Sequence, residues 1–94
     1  MPYTSLQTNI PIIYLREKSK FIAYSPTLDL STCGDTYKQA QERFSEAVEI
    51  FFEEIAEKKI MSRVLQDLGW HKKQKEWQSP VLISQERKTV KIPA

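Results

Sequence analysis

The sequence contains one cysteine, one histidine and two glycines among its 94 residues. Cys33 has no second thiol with which to form a disulfide inside the chain, and so low a cysteine count fits a reducing compartment. His71 is the single imidazole. With neither a Cys-x-x-Cys nor a His-Glu-x-x-His pair, the usual ligand sets of zinc are missing. Gly34 and Gly69 are too few for a loop that cradles phosphate. No apolar run approaches the roughly 18 residues of a membrane span. The N-terminus shows no basic flank before an apolar core, so no signal peptide is expected. These absences point to a cytoplasmic chain with no cofactor, no metal and no membrane partner. They leave little from which to assemble an active site.

What remains is an ordinary folding composition, with hydrophobic residues at 40% and charged residues at 28%, which excludes the disordered class. A chain of this length forms at most one domain, here residues 1–94. A domain so small buries only about two-thirds of its unfolded surface, which favours a homo-oligomer, a dimer first. The net charge of +2 conceals a division. Residues 1–57 carry five basic and nine acidic side chains, net −4, whereas residues 58–94 carry nine basic and three acidic, net +6. The acidic half suits a basic partner. The basic half suits nucleic acid, or the acidic half of a second copy.

No internal repeat is present. Residues 6–18 read as a first strand, in which Leu6, Thr8, Ile10, Ile12 and Tyr14 alternate with Gln7, Asn9, Pro11, Ile13 and Leu15. Both faces turn apolar from Ile12 to Leu15, which predicts cover on both sides there. Pro11 cannot donate to a ladder and so marks an edge strand or a bulge. Glu17 to Lys20 forms a polar turn. Phe21 to Tyr24 is a second strand, ended by Ser25-Pro26, and Leu28 to Cys33 is a third, closed by Gly34-Asp35.

Thr36 then opens a capping-box spacing, with Gln39 at the third helical position. No glycine or proline follows until beyond Lys59. At a helical turn of about 100° per residue, Tyr37, Ala40, Phe44, Ala47, Val48, Phe51 and Ile55 share one face. Glu42, Glu46, Glu49, Glu53 and Glu57 share the opposite one. Ile50 falls beside the glutamates and Phe52 at the flank. The apolar face requires a sheet to cover it, and the three strands supply one.

Ser62 is placed to cap a second, short helix bearing Val64, Leu65 and Leu68. Gly69 occupies the position of a left-handed C-terminal residue, and Trp70 the position that packs back on Leu65. His71 to Glu76 reads as a basic loop and Trp77 to Pro80 as extended. Val81 to Ile83 and Thr89 to Ile92 are strand candidates. The predicted architecture is a small α+β domain in the order β-β-β-α-α-β, with room for one further strand. A small antiparallel sheet would carry one long amphipathic helix on one face. The core is expected over residues 6–59, with the short helix and strand segment over 60–94.

The stretch from Phe21 to Glu54 resembles the HicB-like antitoxin family of type II toxin-antitoxin systems. The resemblance rests on Phe21-Ile22-Ala23-Tyr24-Ser25-Pro26-Thr27-Leu28-Asp29, then Gly34-Asp35-Thr36, then Ala40, Glu46, Ala47, Val48 and Phe51. It covers about a third of the chain strongly. Each position also has a physical reading: a turn at Pro26, a tight bend at Gly34, a cap at Thr36, and close helix approach at Ala40 and Ala47. The resemblance implies a degraded RNase H-like core without catalysis. It also implies a partner, the HicA-type toxin, which is a small basic RNase that such proteins neutralise by covering its active site. Many members add a C-terminal DNA-binding module. This sequence departs from that pattern, because one short helix and a strand-rich tail leave no space for a separate DNA-binding domain.

Candidate site residues follow from these readings. Glu42, Glu46, Glu49 and Glu53, with Ile50 and Phe52, form the expected partner-binding surface. Lys72, Lys73 and Lys75, with Arg87 and Lys88, form the alternative nucleic-acid surface, since Trp70 and Trp77 interleave aromatics with basic groups. Asp29, Asp35 and Glu46 invite comparison with two-metal carboxylates, yet each has a simpler role as turn former, helix-start charge or solvated stripe. Cys33 reads as a reduced structural thiol and His71 as a loop residue. No catalytic residue is expected, and two readings stand beside toxin neutralisation: a small nucleic-acid-binding regulator, and an orphan homo-oligomer of the HicB-like kind with no toxin.

Overall fold

The structure, a computed structural model, describes residues 7–93. Three antiparallel strands, β1 (Ile13–Glu17), β2 (Lys20–Ser25) and β3 (Leu30–Gly34), form a sheet in the order β1-β2-β3. Helix α1 (Tyr37–Glu57) crosses one face of it. Helix α2 (Met61–Asp67) follows, and β4 (His71–Lys73) pairs with β5 (Glu76–Gln78) as a separate hairpin. The α+β class and the long helix on a small antiparallel sheet agree with the sequence. The order is β-β-β-α-α-β-β, and the last strands form a hairpin of their own.

Register decides which side chains meet α1. Tyr14 pairs with Ala23 and Arg16 with Phe21, while Ala23 pairs with Thr32 and Ser25 with Leu30. Directly paired residues share a face. Tyr14, Phe21, Ala23 and Leu30 therefore lie on the side where Ala40 and Phe44 pack. Ala23 and Ala40 are both fully buried, so two methyl groups set the spacing of helix and sheet. Gly34 belongs to the same approach: a Cβ there would lie 2.7 Å from the Ala40 nitrogen. A second cluster gathers Leu28, Ile55, Leu65 and Trp70 below the first. Trp70 fastens the C-terminal segment, donating its indole N–H to the Thr27 carbonyl at 2.7 Å.

The helix ends explain their own sequence. Thr36 accepts from the Gln39 amide at 3.0 Å, as the capping box requires. The Gln39 side chain returns to the Asp35 amide at 2.7 Å, one residue earlier than in the standard box. At the far end the Ile60 amide bonds to the Ile55 carbonyl and the Lys59 amide to that of Ala56. This is a Schellman closure with Lys59, not glycine, in the left-handed region at φ 57. α2 closes in the same way through Gly69 at φ 89, with the Trp70 amide on the Leu65 carbonyl at 2.9 Å.

Several boundaries differ from expectation. The first strand begins at Ile13, not near residue 6. Leu6 lies outside the described residues. Pro11 has no N–H to donate, and Ile10 turns inward onto both core clusters instead of holding a pleat. The third strand starts at Leu30, because Leu28 is spent on the lower core and Asp29 takes a left-handed turn at φ 49. Ser62 does not cap α2. It sits inside the helix and accepts from Gln66 Nε2 at 3.0 Å, since the start of α2 is fixed at Ile60 by the closure of α1. Residues 71–76 are not a loop: Gln74 adopts φ 59 and lets a two-residue turn join β4 to β5. Val81 to Ile83 and Thr89 to Ile92 form no strand, having no neighbouring strand to pair with.

Candidate protein-docking surface

The side of α1 turned away from the sheet is acidic. Glu42, Glu46, Glu49, Glu53 and Glu57 are all exposed. Ile50 stands among them with 58% of its surface open. Its helical neighbours three and four residues away are Glu46, Ala47, Glu53 and Glu54, so an apolar centre has carboxylates on three of four sides. That arrangement resembles the core and rim of a protein interface.

The stripe works against its own helix. Glu42 and Glu46, Glu49 and Glu53, and Glu53 and Glu57 are like charges four residues apart, each pair costing about 0.2–0.5 kcal/mol. Glu57 also sits in the last turn, where the helix dipole is negative and disfavours it. No basic residue occupies the last turn, and one ion pair, Glu54 to Lys58 at 3.5 Å, offers local relief.

Phe52 takes no part in this surface. Its ring packs edge-on against Phe51 at 5.3 Å and Trp70 at 6.3 Å, within the lower core. The expectation that it projects outward fails because α2 and Trp70 extend the core around the flank of α1.

The basic candidates divide. Lys72, Lys73 and Lys75 lie exposed on the β4–β5 hairpin, with Lys72 Nζ 5.7 Å from the Trp77 ring centre. Arg87 and Lys88 lie in the irregular stretch 79–93. Trp70 is 2% exposed, so it cannot stack on a base.

Asp29 and Asp35 are occupied separately, and Glu46 stays in the exposed stripe. Asp29 accepts from the Tyr24 hydroxyl at 3.2 Å, which raises the tyrosine above its ordinary pKa. Asp35 pairs with Lys20; hydrogen bonding and charge lower its carboxyl below the usual range and raise the lysine. Among the described residues no group of three or more His, Cys, Asp or Glu could hold a metal ion. Cys33 is exposed on β3, and His71 lies in the other sheet. A groove of about 530 Å³ between residues 7–11 and 76–82 has Glu76 as its one ionisable lining residue.

A second surface lies on the sheet. Ile13, Leu15, Ile22 and Tyr24 share the sheet face opposite α1, together with Cys33. The run from Ile12 to Leu15 predicted cover on both sides, but among the described residues only the α1 side is covered. Leu15 is 53% exposed. No helix among the described residues is long and apolar enough to cross a membrane. No family model, curated protein or solved structure matches this chain, so its residues and geometry carry the functional argument.

Proposed function

We propose that the chain is a non-catalytic antitoxin of the HicB-like kind, which binds and neutralises a small basic HicA-type RNase. The outer face of α1 meets the toxin's positive RNA-binding surface, with Ile50 at the centre of the contact and Glu42, Glu46, Glu49 and Glu53 around it. One observation supports this reading above the others. The acidic stripe carries like-charge repulsion along the helix, a cost that a basic partner relieves on binding. The alternative, a nucleic-acid surface over residues 70–91, loses its first aromatic to the core at Trp70.

The test is RNA cleavage by a HicA-type toxin encoded beside this chain. Added protein is expected to abolish cleavage at about one equivalent, and Ile50→Asp to require a large excess. Undiminished cleavage at tenfold excess of wild-type protein would rule the reading out.

A further inference from the structure

Residues 79–93 have no regular structure, yet their composition is that of a strand. Val90 and Ile92 are 66% and 84% exposed, and they alternate with Thr89 and Lys91. The molecule is correspondingly long, 58 × 27 × 20 Å, with a radius of gyration of 16.1 Å. A compact chain of this length would have about 12 Å. At the same time the sheet ends in an unpaired strand. Among the described residues the outer edge of β1 has no backbone partner. The β3 edge is different, because Arg43 Nη1 donates to the Cys33 carbonyl at 2.9 Å.

We propose that residues 88–92 of one copy add as an antiparallel strand to the β1 edge of a second copy, reciprocally, forming an arm-exchanged dimer. One register satisfies every position. Ile92 falls opposite Ile13, Lys91 opposite Tyr14, Val90 opposite Leu15, Thr89 opposite Arg16 and Lys88 opposite Glu17. The apolar side chains of the arm then continue the open sheet face, Lys91 lies on an aromatic ring, and the two outermost charges are opposite in sign. A parallel alignment of the same apolar pairs sets Lys88 against Pro11 and forfeits that charge match. The edge, otherwise a template for uncontrolled pairing, is covered.

The occupant is a second copy rather than the chain's own arm. Pro80, Val81 and Leu82 lie beside Pro11, just before β1. Antiparallel pairing with its own β1 would carry Lys88 to Glu17 before reversing. The six residues from Leu82 to Lys88 extend about 20 Å, the length from Pro11 to Glu17, and leave none for the reversal.

Mass in solution by light scattering at about 10 µM tests this with the full chain. A dimer is expected. T89P with K91P removes the two arm N–H groups that face Arg16 and Tyr14 on the outer edge of β1, and is expected to give a monomer with an unchanged circular dichroism spectrum. E17K is expected to weaken the dimer several-fold, and E17K with K88E to restore it. A wild-type monomer at 100 µM, or a dimer indifferent to the two prolines, overturns the proposal. Failure of the charge swap to rescue E17K overturns the register. None of these outcomes depends on a toxin.

Discussion

The outer face of α1 presents Glu42, Glu46, Glu49, Glu53 and Glu57 around Ile50, whereas the outer face of the sheet presents Ile13, Leu15, Ile22 and Tyr24. Both stand on the same thin interior, in which Ala23, Ala40 and Phe44 separate helix from sheet. The acidic face can attract at a distance and is sensitive to salt. The apolar face and the strand edge beside it act only at contact, through burial and backbone pairing. A small protein with two such faces can hold one partner by charge and another by its sheet, without either contact drawing on the other.

The comparison breaks most severely where the two faces share support. Phe44 is 2% exposed between them, so Phe44→Ala is expected to cost about 3–5 kcal/mol and to remove both faces together. Urea unfolding followed by tryptophan fluorescence measures it. A loss confined to one face would show that the layers fold separately.

Gly34→Ala is expected to cost about 1–3 kcal/mol, because the new methyl meets backbone at Ala40 and α1 must lift from the sheet. The same urea titration reads this loss. Lys59→Gly works in the opposite direction. It relieves a left-handed lysine at the end of α1 and is expected to add up to about 1 kcal/mol while leaving the acidic stripe untouched. A raised urea midpoint with unchanged toxin binding would separate the stability of the helix from the function of its face.

The smallest effect concerns the Lys20–Asp35 pair, which links the sheet to the start of α1. Asp35 releases its proton more readily folded than unfolded, so its contribution is present above the ordinary carboxylate pKa and fades as pH falls through its lowered value. Lys20 is raised, so its contribution is present below the ordinary lysine pKa and fades as pH climbs through the raised one. Both groups are exposed, and salt screens the pair. Melting temperature against pH at low salt should be flatter at both ends in Asp35→Asn. An unchanged profile would show that the pair contributes nothing.

Legibility in the sequence followed the range of the forces involved. α1 could be read because its determinants are local: an uninterrupted run, a cap at Thr36 and apolar spacing from Ala40 to Ile55. The glutamate stripe followed from the same period. Gly69 and Trp70 were readable for a similar reason, since the Schellman bonds span only five residues. Phe52 was not, because its side of the helix is decided by α2 and Trp70, which approach from elsewhere. The β4–β5 hairpin was hidden by a chain poor in glycine that places Lys18, Asp29, Lys59 and Gln74 at positive φ. Leu28 reads as strand by type, and only the lower core shows why it belongs to a turn. The apolar face around Leu15 was visible as a pattern, but its exposure is a property of the whole fold.

The acidic face of α1 is proposed to meet a basic partner. The most direct test of that proposal is the association rate of the HicA-type toxin with wild type and with the triple variant E46K, E49K and E53K, by surface plasmon resonance at low and high salt. The variant is expected to fold about as stably as wild type, since it makes the 42/46 and 53/57 pairs attractive while 49/53 stays like-charged. It should associate about tenfold or more slowly at low salt, with the gap closing as salt rises. Equal rates at low salt for two well-folded proteins would contradict the claim and leave the stripe as solvated surface.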